Sequence, residues 1–225
     1  MDTKTFPELP EFINFLKVRL NSPLPGYKAH REMEPMMNNK HFRQFAPKDD
    51  TKPSAILVLL TIDKDSNEYQ VLLTLRSNNI RHSGQISCPG GFTEPGEEPV
   101  VTALREVREE VGIHSDNILI IGKLSDLYVQ PSNSLITPVL AYTEYINDLN
   151  INKHEVEEVF LIRLNTLLDI TVFKREIWNL HGNDVEVPFW DIHHSTPLWG
   201  ATAMILRELL EIYTEFNMLK MSKLE

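Results

Sequence analysis

GFTEPGEEPVVTALREVREEVGI, residues 91–113, divides into a turn, a helix and a stop. Gly96 and Pro99 prepare the turn, because proline is accommodated in a first helical turn, where its missing N–H has no partner to lose. The helix is expected from about Glu98 to Val111, and Gly112 suits the left-handed residue that closes many helices. At roughly 100° per residue, Val100, Leu104, Val107 and Val111 form one apolar stripe, and Glu106, Glu109 and Glu110 gather about 120° from it. Five glutamates (Glu97, Glu98, Glu106, Glu109 and Glu110) face only Arg105 and Arg108 here, a local excess of three negative charges. Like charges at these spacings repel by a few tenths of a kcal/mol per pair, and no lysine answers them on that face. The face is therefore either a solvated acidic surface or a set of carboxylates gathered for a hard divalent cation, which takes oxygen ligands.

Working outward, SAILVLLTI (54–62) and YQVLLTL (69–75) are compact apolar runs joined by the turn-like Lys64–Asn67, and are expected to pair as a hairpin. After the helix, strand-like runs recur at 118–124, 134–143, 156–163, 171–178 and 185–190. The closing segment Trp199–Phe216 places Ala201, Ile205, Leu209 and Ile212 on one helical face. Hairpin, helix, strands and final helix imply an α/β fold: a mixed sheet with helices packed on it. Ahead of it, residues 8–20 space Phe12, Phe15, Leu16 and Leu20 as a short amphipathic helix, stopped by Pro23 and Pro25. Asn21–Pro53 carries no sustained period and is expected as an irregular arm. The expected division is a helix-and-arm segment at 1–53 lying on a body at 54–225.

At ~150 residues per domain, 225 residues favour one elaborated domain. The 22 Lys and Arg against 32 Asp and Glu leave a net charge of −10, which excludes a broad electrostatic grip on nucleic acid or anionic lipid. A phosphate ligand must be held locally, by a few basic groups or by metal. The one cysteine, Cys88, rules out an intrachain disulfide and a multi-cysteine zinc site, which suits a reducing, cytoplasmic setting. No apolar run approaches the roughly 18 residues of a membrane span. Ser222-Lys223-Leu224 looks like a peroxisomal address, but Glu225 follows it. The sequence leaves oligomeric state open, a homodimer included.

Gly91, Glu97, Arg105, Glu106, Val107, Glu109, Glu110, Gly112 and Ile113 stand at spacings that resemble, without a gap, the signature of the Nudix hydrolases. The resemblance implies a Nudix α/β/α sandwich with an N-terminal helical arm and a C-terminal helix, and Mg²⁺- or Mn²⁺-dependent cleavage of a small-molecule diphosphate. It implies Glu106, Glu109 and Glu110 as metal ligands, the Gly90 carbonyl as a further ligand, and a structural role for Gly91 and for a Glu97–Arg105 ion pair. Bridging metal neutralises a polyanion and activates an attacking water, so an acidic protein can still bind a diphosphate. The catalytic residues are then expected among Glu106, Glu109 and a base. That base is one of the helix glutamates or an acid of HEVEEVF (154–160), where Glu155, Glu157 and Glu158 are candidates by position.

Upstream, LLTLRSNNIRHSGQISCPGG (72–91) resembles the extra motif of the coenzyme A diphosphatase branch. It differs in having two residues, His82 and Ser83, between Arg81 and Gly84 where the branch usually has three, and Cys88 where the branch usually has Phe. Arg76 and Arg81 are the candidate substrate-binding residues, since a guanidinium grips phosphate with a bidentate fork. The expected activity is cleavage of coenzyme A or a derivative to 4′-phosphopantetheine and adenosine 3′,5′-bisphosphate. ADP-ribose or a nucleotide sugar is the alternative substrate, and a non-catalytic ligand-sensing module the alternative of another class. Cys88 has no His and carboxylate arranged around it and reads as packing; His82 reads as a bystander, and Trp199–Ala203 as sheet-packing core.

Overall fold

A computed structural model describes residues 9–38, 40–41, 46–79, 83–180 and 182–222. In chain order these form α1 (Glu11–Arg19), α2 (Tyr27–His30), β1 (Met36–Met37), β2 (Lys40–His41), β3 (Lys52–Ile62), β4 (Tyr69–Arg76), β5 (Ile86–Ser87), β6 (Gly90–Phe92) and α3 (Pro99–Val111). Then follow β7 (Leu119–Lys123), β8 (Leu127–Val129), β9 (Ser134–Tyr142), β10 (Val156–Arg163), α4 (Leu164–Leu168), β11 (Phe173–Leu180), β12 (Asn183–Trp190), β13 (Leu198–Trp199) and α5 (Gly200–Met221).

The mixed sheet is ordered β10-β4-β3-β9-β7, with β3 and β9 parallel and the other neighbours antiparallel. A parallel pair needs a long crossover, and the segment containing α3 supplies it. Both central strands are covered on two faces, so they read as nearly continuous apolar runs. Ala55, Leu57 and Leu59 of β3 pack with Ala103, Val107 and Val111 of α3 on one face. Val58 and Leu60 point the other way, into a larger core holding Phe12, Ile13 and Leu16 of α1 and Ile205, Leu209 and Ile212 of α5. Period-two alternation on β3 thus separates two helical layers, giving an α/β/α sandwich.

The strands expected at 171–178 and 185–190 lie at Phe173–Leu180 and Asn183–Trp190 and stay out of the mixed sheet. They pair with one another over eight registered positions and build a second sheet ordered β11-β12-β1-β2, with β13 also on β12. FKREIWNL is largely exposed along its length and has too few apolar residues for a strand covered on two faces. The arm expected to be irregular contributes α2 and the two short strands β1 and β2 to this part of the molecule. The helix expected at 8–20 is present as α1 and is core, since Phe12, Ile13 and Leu16 are fully buried.

Candidate active site

The β3–β4 hairpin is closely paired only from Leu60↔Val71 to Ile62↔Tyr69. Beyond that the strands diverge and the glycine loop enters the gap. On one side β5 pairs with β4 at Thr74↔Ser87 and Leu75↔Ile86; on the other β6 pairs with β3 at Ala55↔Gly91 and Ile56↔Gly90. The Leu57 N–H donates to the Pro89 carbonyl at 2.8 Å. A side chain at Gly90 would put its Cβ 2.4 Å from the Ala55 carbonyl, and one at Gly91 would meet the Glu106 carboxylate at 2.3 Å. The two glycines therefore let the loop lie flat between strand and carboxylate, a close approach that no larger residue permits.

On α3 the glutamates fan from core to solvent. The Glu110 side chain is 3% exposed, Glu106 13% and Glu109 55%. This corrects the helical-wheel expectation: the buried face holds Thr102, Ala103, Val107, Glu110 and Val111, and Leu104 is only half-buried. Proline at the first turn and a left-handed Gly112 (φ 80°) bound the helix as expected.

Arg105 does more than pair with Glu97. Its Nε and Nη2 donate to the two Glu97 oxygens at 2.9 and 3.1 Å, its Nη1 donates to Glu106 at 2.8 Å and Glu109 at 3.1 Å, and Nη2 also reaches the Phe92 carbonyl. Glu97 also accepts from the Glu94 N–H and the Thr102 hydroxyl. The Arg105 guanidinium first, then these further donors, hold the Glu97 carboxyl down at about 2. The repulsion that looked unanswered in sequence is answered by one arginine spanning loop and helix.

Glu110 is the opposite case. Burial pushes its carboxyl up to about 8; Glu106 and Glu155 add to the rise, against opposition from Arg76 and the Gly90 N–H. Burial likewise raises Glu106, with Arg105 opposing and Glu109 and Glu155 contributing. The Glu110 Oε2 atom is buried with no hydrogen-bond partner among the described residues, and Arg76 Nη1 stands 3.9 Å from Oε1. An orphaned oxygen on a desolvated carboxyl, beside two further carboxylates, is an arrangement that a hard cation satisfies. Glu106, Glu109, Glu110 and the adjoining Gly90 are the groups on hand for it.

Glu155 is brought to this cluster by the β9–β10 loop, which is tied to the end of α3: the Asn150 N–H donates to the Val111 carbonyl and the Asn152 N–H to the Glu110 carbonyl. Those bonds satisfy last-turn carbonyls that a helix leaves open. Asn152 Nδ2 donates to Glu155 Oε1 at 3.3 Å, and the Ser77 N–H to the Glu155 carbonyl at 2.9 Å.

Residues 51–180 match the family model for the NUDIX domain, more than half of the chain. The chain belongs to the Nudix family. A relative, Nudix hydrolase 3 of Caenorhabditis elegans, is 29% identical over 192 residues, covering 77% of this chain and 78% of that protein. The mitochondrial coenzyme A diphosphatase NUDT8 of Homo sapiens is 33% identical over 168 residues, covering 72% of this chain and 70% of that protein. The solved structure of a Nudix hydrolase from M. Smegmatis, RenU, superposes with a TM-score of 0.54 at 15% identity, covering 77% of this chain and 96% of that one, which speaks to the fold alone. The protein is a Nudix hydrolase, an enzyme acting on phosphoric anhydrides.

Nudix hydrolases work with divalent metal, and the orphaned Glu110 oxygen and the all-oxygen donor set fit one. Among the HEVEEVF acids, Glu155 contributes to the charge felt by Glu106 and Glu110. Glu157 is exposed, its carbonyl taken by Lys153, and Glu158 is bonded to His193, a partner that nothing in the local sequence announces. Arg81 and His82 lie outside the described residues. Cys88 is buried in the core, and burial, helped by Glu110, pushes its thiol to about 12, which removes it as a nucleophile and leaves packing. Among the described residues, no helix is long and apolar enough to cross a membrane.

Proposed function

We propose that this Nudix hydrolase adds water across the diphosphate of coenzyme A or an acylated derivative, giving 4′-phosphopantetheine, free or acylated, and adenosine 3′,5′-bisphosphate. What carries the reading is that Arg76, the first arginine of the 72–91 motif, reaches the same carboxyl, Glu110, that needs a cation. A substrate guided by that motif enters directly over the glutamate face. The mitochondrial coenzyme A diphosphatase NUDT8 adds support at 33% identity.

Mg²⁺ or Mn²⁺ is the proposed cation, held by Glu106, Glu109, Glu110 and the Gly90 carbonyl; when bound it neutralises the diphosphate and acidifies water. Arg105, anchored by Glu97, keeps Glu106 and Glu109 facing one way. Glu155, on a loop fixed to the end of α3, is positioned to take the proton of the attacking water. Arg76 and Arg81 would bind the diphosphate anion. The shortened Arg81–Gly84 spacing and Cys88 at the usual Phe position favour keeping ADP-ribose or a nucleotide sugar as the second reading. The net charge of −10 supports a small-molecule substrate over nucleic acid, and the single buried cysteine supports a cytoplasmic home.

The test is a panel of diphosphates with Mg²⁺ or Mn²⁺, products identified by mass. Coenzyme A is expected to yield the two named products, and excess chelator to abolish turnover. Preferred hydrolysis of ADP-ribose would transfer the assignment to the second reading, and sustained turnover at verified negligible metal would end the metal assignment. Arg81→Ala is expected to raise KM about 10- to 100-fold, from loss of a charged hydrogen bond worth roughly 1.5–3 kcal/mol, with Mg²⁺ dependence unchanged. A fall in kcat at constant KM would count against that role.

A further inference from the structure

On the face of the mixed sheet away from α3, a second group of ligating side chains converges. Glu158 registers opposite Leu75 on β4 and shares a strand face with Phe160, and both Leu75 and Phe160 belong to the core under α1 and α5. Glu158 therefore turns away from the catalytic carboxylates. His193 and His194, in the loop that follows β12, come over it. One ligating atom from each of the three side chains lies within 4.8 Å of the other two. His193 Nε2 is 3.2 Å from Glu158 Oε2, and the rings of His193 and His194 are 4.3 Å apart.

We propose that Glu158, His193 and His194 form a second metal site, separate from the α3 carboxylates and selective for Zn²⁺ over Mg²⁺. The donor set decides the ion: two imidazoles and one carboxylate suit a borderline divalent ion, whereas the all-oxygen set on α3 suits a hard one. Three protein ligands leave a fourth position open to water. Zinc bonds of about 2.0–2.2 Å place tetrahedral ligand atoms roughly 3.4 Å apart, so closure requires movement on the order of an ångström. His194, which is exposed, supplies that movement.

His193 is the fixed member. Its side chain is 5% exposed, its ring packs 5.1 Å from that of Phe160, and its Nδ1 is approached by the Ser195 hydroxyl at 3.1 Å and the Ser195 N–H at 3.4 Å. A backbone N–H only donates, so Nδ1 accepts and the proton sits on Nε2, donated to Glu158. With metal on Nε2 the proton moves to Nδ1 and is donated to the Ser195 hydroxyl, which can accept, while the long 3.4 Å contact from the Ser195 N–H is given up. Such support behind a ligating histidine orients the ring and raises affinity. An ion here would clamp the loop after β12 to the edge strand β10, joining the second sheet to the first.

The test is equilibrium binding of Zn²⁺ to the full-length, chelator-treated protein in a large excess of Mg²⁺, with Co²⁺ as a spectroscopic substitute. One equivalent of Zn²⁺ is expected to remain bound, and Co²⁺ to give the intense visible bands of four-coordination. His194→Ala removes an exposed ring and Glu158→Gln preserves shape, so both keep the fold, verified by circular dichroism. Each is expected to weaken Zn²⁺ at least tenfold and to erase the Co²⁺ bands. Ser195→Ala is expected to cost about 10- to 100-fold through the supporting shell. Zinc that Mg²⁺ displaces, zinc bound equally well by parent, His194→Ala and Glu158→Gln, or no retained zinc would each overturn the site.

Discussion

Glu109→Gln is expected to leave the protein folded and slow it by about 10² or more in kcat at saturating Mg²⁺, because charge stabilisation at a transferring phosphoryl group is worth several kcal/mol. The side chain is 55% exposed and its one described bond is to Arg105, so little packing is lost. Glu97→Gln should behave differently. Glu97 engages Arg105 through two bonds, and the weaker amide lets the guanidinium shift toward Glu106 and Glu109. A guanidinium settled on those oxygens competes with cation, so the expected loss falls on the apparent Mg²⁺ affinity, with partial recovery at high Mg²⁺. Steady-state rates across a Mg²⁺ titration separate the two. Near-normal kcat for Glu109→Gln beside a fully stable, inactive Glu97→Gln would require the metal centre to be redrawn around Glu97.

Much of this arrangement was legible in the linear sequence, and the parts that were not have identifiable causes. Helix α3, its proline start and its glycine stop are local, and local chemistry sets them. The direction of its buried face was misjudged because the wheel weighted Leu104 and overlooked Ala103, whose small side chain lets the helix sit close to β3 and rotates Glu110 into the contact. That rotation gives Glu110 its raised, orphaned carboxyl, so the error fell on a candidate metal ligand. Arg105 was paired with one acid instead of three because the family resemblance supplied only the Glu97 pair, while Glu106 and Glu109, the latter at i+4 from Arg105, were weighed as acids repelling one another. The hairpin at 54–62 and 69–75 was recognisable by composition, but the insertion of β5 and β6 between its diverging arms was not, since two- and three-residue strands carry no period. The second sheet escaped for a related reason, its partner β1 being two residues long and nearly 150 residues from β12 in sequence.

The largest stability effect is expected at a residue that the sequence disguised. Glu208 lies in LRELLEIY, where an acid among leucines passes for the wet side of an amphipathic helix, yet it is fully buried. Its Oε1 accepts from the Gly26 N–H at 2.9 Å and the Ser125 hydroxyl at 2.6 Å, and its Oε2 accepts from the Ser125 N–H at 3.1 Å and faces His30 Nε2 at 3.1 Å. One carboxylate thus joins the N-terminal arm and the β7–β8 loop to α5. Burial alone would raise its titration, but the bonds from His30 and Ser125 outweigh burial and the carboxyl is lowered from 4.5. Glu208→Ala strands several donors at once and is expected to cost about 3–5 kcal/mol, lowering Tm by roughly 10 °C. Glu208→Gln keeps the volume and one acceptor, so it should fall between parent and alanine. The sign with pH follows from the lowered value: an acid that ionises more readily when folded stabilises the fold fully above pH 4.5, and this contribution is lost as pH drops through the folded-state value. The gap in unfolding free energy between parent and Glu208→Gln should therefore be constant near neutrality and shrink below pH 4.5. Denaturant titrations at stepped pH measure it, and a gap that is absent at pH 7, or that widens in acid, would show that the arm is held by its apolar contacts and not by this carboxylate.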